Sequence, residues 1–494
     1  MKTFGLDLQK YEVEKEPPRL VSRDPADVMI PLKGGFGSAL SPTVEVGDKV
    51  EIGEIIARND EKISTPVHAS ISGEVKGIEK IAYYHEETGE ELGKGIEAVR
   101  IAGNPGDDAG GSGVEWEKEK PKNLRELFYL GGLTSFGQTG IPTEFNSSFY
   151  NPGDVEKILV NGVVTEPFVH HLVDYGEELS SFTTGLEIIA RTFPNSRIHL
   201  VLDEETLSEL NTLSSSQRIK VHSAKNEAEM GRSKMLAREV LGAESLDEGG
   251  YLMDHGILAL PEVFPLMAYR TVVEGVPFVR NRFGLGGSLA ENLVVEAPIG
   301  TSLKEAVTGS LEESDRALTI TGGPLSGNKL EDLGRPVGKD LRAIVQLEKP
   351  KETEFLSWLQ TGLTKNSYTN AFFSALVPGK KKKADAGLHG EQRPCVYCGY
   401  CSDVCPVDIL PYQIYQTHSH DMIDEVNRLQ PQRCVDCGLC SYVCPSKLPL
   451  SSTVKEAKKA QPGDQNNYVE YEERDGSLVP VVTESDQGRG EDVE

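Results

Sequence analysis

Between residues 28 and 101 apolar side chains come in short runs that alternate with polar ones. The runs break at Lys33-Gly34-Gly35, Val46-Gly47-Asp48 and Ser72-Gly73. A period of two, punctuated by turn residues, predicts an all-β unit. Residues 104–113 are rich in Gly and Asp and read as a linker, with a charged stretch running on to Lys118. From Asn123 the period lengthens and then alternates. The pattern predicts a helix over 123–129, a strand over 157–160 ending at Asn161-Gly162, and a helix over 177–191. A strand over 198–202, a helix capped by Asp203, a strand over 218–221 and a helix over about 226–241 follow. Such alternation predicts parallel strands layered with helices. Residues 269–320 read as strand, strand, helix, strand. Thr271 to Val279 is the hairpin candidate, 302–308 a short helix and 317–320 a strand, which fits a small mixed β-grasp-like module. A mostly helical stretch covers 354–373. Residues 1–26 read as an irregular leader, and about 461–494, acidic and poor in apolar residues, as disordered.

Composition narrows the function. The 494 residues carry 51 Lys plus Arg against 77 Asp plus Glu, a net charge of -26. A chain this acidic is repelled by phosphate backbones, so nucleic acid is not an expected partner. The N-terminus shows no apolar signal-peptide core. No stretch reaches the roughly 18 uncharged apolar residues a membrane span requires. The most apolar segment, 256–269, is shorter and holds two prolines. If the chain serves a membrane process, another chain supplies the spans. All eight cysteines lie between Cys395 and Cys444. That concentration points to metal and a reducing compartment rather than to a disulfide framework.

Those cysteines form two copies of one pattern, Cys395-Val-Tyr-Cys398-Gly-Tyr-Cys401-Ser-Asp-Val-Cys405-Pro and Cys434-Val-Asp-Cys437-Gly-Leu-Cys440-Ser-Tyr-Val-Cys444-Pro. Three cysteines at intervals of three wrap an iron–sulfur cube. The fourth, before Pro, ligates the other cluster in two-cluster ferredoxins. The expected sets are Cys395, Cys398, Cys401 and Cys444 for one 4Fe-4S cluster, and Cys434, Cys437, Cys440 and Cys405 for the second. Structural zinc uses separated Cys pairs in tetrahedral geometry and does not fit triplets with a trailing Cys-Pro. No cysteine remains for nucleophilic catalysis, and no catalytic residue is expected.

Five further places are weaker. Leu130-Gly-Gly-Leu-Thr-Ser-Phe-Gly137-Gln-Thr-Gly140-Ile-Pro is either a turn or a loop whose N–H groups cradle a flavin or nucleotide phosphate. Glu166, in Asn161-Gly-Val-Val-Thr-Glu166-Pro, follows a strand, where a carboxylate either meets a ribose hydroxyl or caps a helix. His170-His171 are adjacent and point apart, so they make poor co-ligands. Lys380 to Lys383 form a basic run within a polar linker. Lys62 lies in a domain similar to biotinyl and lipoyl carriers, but no Met-Lys-Met surrounds it, so neither covalent biotin nor lipoate is expected.

Several segments resemble one family. Val44-Glu-Val-Gly47-Asp48-Lys-Val-Glu-Ile-Gly53 with Thr65-Pro-Val-His68-Ala-Ser-Ile-Ser-Gly73 resembles the N-terminal barrel of RnfC. That protein is the peripheral subunit of an ion-pumping ferredoxin:NAD oxidoreductase. Asn161-Gly-Val-Val-Thr-Glu166-Pro, Gly322-Gly-Pro-Leu-Ser-Gly327 and Cys440-Ser-Tyr-Val-Cys444-Pro-Ser-Lys447-Leu-Pro are similar to its other signatures, in the same order. Gly5-Leu-Asp-Leu8 and Glu354-Phe-Leu-Ser-Trp358-Leu, followed by Asn366-Ser-Tyr-Thr, resemble NqrA of the sodium-pumping NADH:quinone reductase.

The resemblance implies a multidomain α/β plus all-β chain. Its parts would be a barrel-sandwich hybrid at 27–103, a complex I flavoprotein-like, Rossmann-like α/β domain at 119–262 and an SLBB-like β-grasp module at 263–350. A helical linker at 351–384, a helical two-cluster ferredoxin-like domain at 385–460 and a tail at 461–494 would follow. It also implies an electron-transfer subunit on the cytoplasmic face of the inner membrane, working between NADH or ferredoxin and membrane-embedded redox subunits. FMN is a further implied cofactor, at Gly137, Gly140 and Glu166. The family's Gly-x-Gly-Gly-x-Gly-Phe-Pro is here Ser135-Phe-Gly137-Gln-Thr-Gly140-Ile-Pro, with a Gln where backbone must approach phosphate. The competing reading is a soluble flavin and iron–sulfur reductase, of the cobalamin-reductase or amino-acid-reductase-partner kind. Cobalamin reductases place the barrel after the clusters; here it comes first. A scaffold with vestigial nucleotide folds is the third reading.

Overall fold

The computed structural model describes residues 17–33, 40–58, 65–82, 95–104, 110–133, 152–210, 217–225, 227–242, 252–349, 392–459, 471–474 and 477–480. Lys62, the glycine loop with Gly137 and Gly140, the helical stretch over 354–373 and the lysines at 380–383 lie outside the described residues.

The chain enters through β1 (Arg19–Ser22), which the sequence reading leaves in an irregular leader. It pairs in parallel with a strand almost three hundred residues later, described below. The all-β unit follows as β2 (Asp27–Pro31), β3 (Ser41–Pro42), β4 (Lys49–Val50), β5 (Ile55–Arg58), β6 (Val67–His68), β7 (Ser72–Ile81) and β8 (Ile96–Asn104). These form two sheets, in the orders β2-β8-β7-β4 and β3-β5-β6. Val28 faces Ile101 and Ile30 faces Val99 across β2 and β8, and all four are buried. Ser72-Gly73 is not a turn but the start of β7. Gly73 stands opposite Gly103 of β8, and a Cβ on Gly103 would lie 1.9 Å from the Ser72 carbonyl oxygen.

The α/β unit contains α1 (Pro121–Leu130), β9 (Lys157–Gly162), α2 (Leu179–Thr192), β10 (Arg197–Asp203), α3 (Glu204–Glu209), β11 (Ile219–Ala224), α4 (Ser233–Leu241), β12 (Ile257–Pro261) and α5 (Phe264–Tyr269). The sheet is wholly parallel, in the order β11-β10-β9-β12. The strands read as near-continuous apolar runs because helices cover the sheet. The Asp203 carboxylate caps α3, accepting from the Thr206 N–H at 2.9 Å. Phe128, Phe182 and Phe264 are wholly enclosed, each contributing roughly 1.5–3 kcal/mol by burial. Their apolar core runs without a break into that of the barrel.

A mixed sheet follows, built from β13 (Arg280–Gly286), β14 (Leu293–Pro298), α6 (Leu303–Ala306), β15 (Ala317–Thr321), β16 (Asn328–Lys329) and β17 (Ala343–Glu348). With β1 the strand order is β1-β14-β13-β17-β15-β16. The predicted hairpin over 271–279 is not formed. Residues 270–274 continue α5 as a π-turn ending at Gly275 (φ 71°), and the hairpin is β13 with β14. Val272 is buried within the helical layer, so its apolar neighbours serve a helix face rather than a strand face.

The cysteine module is helical, with α7 (Tyr400–Asp403), α8 (Pro411–His418), α9 (Ile423–Arg428), α10 (Leu439–Val443) and α11 (Leu450–Lys459). In the acidic tail, β18 (Tyr471–Arg474) and β19 (Ser477–Pro480) pair antiparallel, where no structure is expected from composition. No helix among the described residues is long and apolar enough to cross a membrane.

Candidate iron–sulfur centre

The two cysteine repeats adopt one backbone conformation. Tyr397 and Asp436, each two residues past the first cysteine, have φ of 54° and 55°. Gly399 and Gly438 follow at 80° and 73°, and Asp408 and Lys447, three past the fourth cysteine, lie at 53° and 51°. A left-handed conformation in a non-glycine residue costs roughly 1–3 kcal/mol and clusters at functional sites. Here it turns successive N–H groups into a concavity of the kind that binds anions and iron–sulfur clusters. The Tyr397 N–H donates to Cys395 Sγ at 3.3 Å, and the Asp436 N–H to Cys434 Sγ at 3.4 Å. The repeats show a glycine after each second cysteine, Gly399 and Gly438, where a positive φ is ordinary, but nothing in their residue types marks Tyr397, Asp436, Asp408 and Lys447. The one available signal was their matching position in the two repeats.

Thiols of the two repeats meet. Cys405 packs with Cys434 and Cys437, and Cys444 packs with Cys395 and Cys401. Burial raises the pKa of Cys434 to about 12 and lifts those of Cys437 and Cys440 as well. Cys405 is an electrostatic neighbour of all three. Burial also raises the Cys401 thiol, whose charged neighbours are Cys444 and Cys398. Cys440 lies between the sets, packing with Cys444 while feeling Cys434, Cys437, Cys405 and Cys401. No three His, Cys, Asp or Glu side chains among the described residues converge as a single-ion site does. A four-iron cube is larger than an ion and spreads its thiolates wider, so the donor set and the N–H concavities fit it. The two sets differ in exposure. Burial raises all four thiols of the set that contains the buried Cys437. In the other set Cys444 is buried but Cys398 is exposed, beside Val396 and Tyr397 at 65% and 75% exposure.

The loop after β9 approaches this module. The Glu166 carboxylate accepts from Arg232 Nη2 at 3.0 Å, the Leu325 N–H at 2.8 Å, the Ser326 N–H at 3.3 Å and the Ser326 hydroxyl. A carboxylate has about four acceptor positions, and all are taken within the chain. Asn161 Nδ2 donates to the Gly231 carbonyl and Ser233 Oγ. Of the residues expected at a flavin site only Glu166 is among the described ones, and its oxygens are engaged within the chain. Glu166 is a clamp on the 322–327 loop, neither a ribose ligand nor a helix cap.

The carboxyl ends of β9, β10 and β12, where open parallel sheets bind ligands, are filled by His171. Its Nδ1 is 2.8 Å from Glu262 Oε2 and its Nε2 2.9 Å from Asp203 Oδ2. Tyr175 donates to Glu262 at 3.1 Å. Burial works against the imidazolium, but the two carboxylates outweigh it and hold its pKa at about 10. His170 is pushed the other way, to about 4, by burial and by the charge of His171. The structure thus gives the adjacent histidines separate environments.

An N-terminal barrel, a parallel α/β unit and paired cysteine loops on helices define an iron–sulfur electron-transfer protein. Comparison with known proteins agrees. Residues 9–98 match the RnfC barrel sandwich hybrid domain and residues 380–448 the 4Fe-4S dicluster domain. The RnfC-type component of the proton-translocating ferredoxin:NAD(+) oxidoreductase complex of Clostridium ljungdahlii is 24% identical over 85% of this chain and 84% of its own length. Its counterpart in the Na(+)-translocating ferredoxin:NAD(+) oxidoreductase complex of Acetobacterium woodii is 23% identical over 91% and 94%. The counterpart in an ion-translocating oxidoreductase complex of Pseudomonas aeruginosa is 25% identical over 78% of this chain but 46% of its own length. The chain is a relative of these RnfC-type proteins; the NqrA half of the sequence resemblance gains nothing from them. A solved NAD+-reducing NiFe hydrogenase overlaps 46% of the chain at 20% identity and a TM-score of 0.36, too slight a likeness to build on.

Proposed function

We propose that the chain is the peripheral electron-relay subunit of a membrane-bound, ion-translocating oxidoreductase of the Rnf type, on the cytoplasmic face. Membrane-embedded redox subunits and NADH or ferredoxin would be its partners. The observation that supports this reading is the two-fold repeated backbone of the cysteine loops, in which Cys405 packs beside Cys434 and Cys437, and Cys444 beside Cys395 and Cys401. Cys395, Cys398, Cys401 and Cys444 would hold one four-iron cluster; Cys434, Cys437, Cys440 and Cys405 would hold the other. A pair of such clusters supplies one-electron transfer. The chain's own residues supply the rest. The crossed cysteines keep the two sets on one scaffold, the N–H groups of Tyr397 and Asp436 stabilise thiolate charge, and the apolar core around Cys405, Cys434 and Cys437 excludes water. The exposed set, beside Val396 and Tyr397, is the side from which a redox partner approaches. No side chain is needed as a general acid or base.

The test is iron, sulfide and flavin content of anaerobically purified protein, with EPR spectra after dithionite reduction. About eight irons per chain, no flavin and spectra of two interacting clusters are expected. About four irons would sink the two-cluster reading, and zinc in place of iron would sink the whole of it.

A further inference from the structure

The Gly322-Gly-Pro-Leu-Ser-Gly327 loop between β15 and β16 joins two parts of the molecule. Towards the α/β unit it closes on Glu166, and a Cβ on Gly323 would lie 2.0 Å from Glu166 Oε2. Towards the cysteine module, the Leu325 side chain packs against the apolar core that contains Cys437. The Leu325 carbonyl occupies the space left by the missing side chain of Gly438, where a Cβ would lie 1.8 Å from its oxygen. Lys455 Nζ of α11 donates to the Ser326 carbonyl at 3.0 Å. Gly438 lies between Cys437 and Cys440, so the loop touches the buried cysteine set directly. Arg232, the ion-pair partner of Glu166, also faces Cys437 and Asp436 electrostatically.

We infer that Glu166, through Arg232 and the 322–327 loop, is a positioning residue that seats the buried cluster against the carboxyl edge of the α/β sheet and sets the charge beside it. The inference rests on the two-cluster reading and adds a direction to it: the buried cluster faces the chain's own α/β unit, and the exposed one faces the partner. Potentials of such clusters respond to local charge. Glu166 offsets Arg232, so its loss leaves more positive charge beside the buried cluster and favours that cluster's more negative, reduced form.

The test is an EPR-monitored redox titration of the full chain with its clusters, assigned with Cys444→Ser, which keeps the buried cluster alone. Glu166→Gln should retain the iron and raise the potential of the buried cluster only, by up to about 59 mV, a tenfold change for a one-electron couple. Glu166→Asp, which keeps the charge, should restore most of the original value. Arg232→Gln should move the same cluster downward, and this opposite sign decides the matter if Glu166→Gln does not fold. Unchanged potentials in the folded variants, or equal shifts of both clusters, would overturn the inference. Absence of clusters from the parent protein would instead overturn the two-cluster reading beneath it.

Discussion

At the scale of single residues the proposed chemistry rests on Cys405 and Cys444, each of which would leave its own repeat to complete the other set. Cys405→Ser and Cys434→Ser should therefore lose the same cluster, and Cys444→Ser and Cys398→Ser the other. Each should hold about four irons in place of about eight and lose the spectral signs of cluster–cluster interaction. An identical loss from Cys405→Ser and Cys398→Ser would contradict the crossed assignment. His171 is the corresponding residue for stability. Its imidazolium is enclosed by Glu262 and Asp203, both largely buried. His171→Gln should cost about 3–5 kcal/mol at neutral pH, because two buried carboxylates lose their cation. The folded-state pKa of His171 is raised to about 10 from the ordinary histidine value of 6.5. Its contribution is therefore complete below about pH 6.5 and lost as pH rises through about 10. Urea unfolding of both proteins across that range should show the gap between them closing with rising pH. A constant gap would mean that His171 is neutral in the fold.

At the scale of elements the two cysteine loops look equivalent but are not. Gly399 and Gly438 both have positive φ, yet a Cβ on Gly399 meets nothing within 4 Å, whereas one on Gly438 meets the Leu325 carbonyl. Gly399→Ala should cost only the left-handed strain, roughly 1–2 kcal/mol, and keep both clusters. Gly438→Ala should displace the 322–327 loop and lose iron from the buried set. Iron content with thermal unfolding checks the pair; equal iron loss in the two variants would show that the loop contact is unimportant. The element errors of the sequence reading have causes of the same kind. Thr271 to Val279 is apolar and β-branched enough for a hairpin, but Val272 is buried against the helical layer and the chain stays helical to Glu274. Glycines at Gly73 and Gly103 mark close strand approach, although the first of them looks like a turn.

At the scale of the molecule a buried arginine ties the α/β unit to the mixed sheet. Arg282 on β13 donates to both oxygens of Glu178, at 2.6 and 2.9 Å, and to Glu296 on β14. Arg270 approaches the same two carboxylates at 3.7 and 3.4 Å. Arg282→Met should destabilise by about 3–5 kcal/mol, since it leaves the largely buried Glu178 and Glu296 with only the longer contacts to Arg270 and Arg280. Guanidinium unfolding followed by tryptophan fluorescence and by circular dichroism should then give separated transitions where the parent gives one. A single coincident transition at an unchanged midpoint would show that the two units do not depend on this link. The same sheet recruits β1, because Arg280 donates to Asp24, to the Ser22 hydroxyl and to the Arg23 carbonyl.

The chemistry and the kinds of layer were legible in one dimension. Cysteine spacing is a local property, and the expected ligand sets and their crossing follow from it. Alternation and turn residues report local burial, so the barrel strands, the parallel α/β alternation and the Asp203 cap could be read from the order of residues alone. Which surfaces those elements share was settled by long-range contacts. The parallel pairing of β1 with β14 depends on residues far apart in the chain. So do the filling of the sheet's ligand edge by His171, the use of Glu166 as a clamp and the deeper burial of one cysteine set. In each case a side chain's role is set by the partner that folding brings to it. A carboxylate that follows a strand looks the same in sequence whether a nucleotide or a protein loop takes up its oxygens.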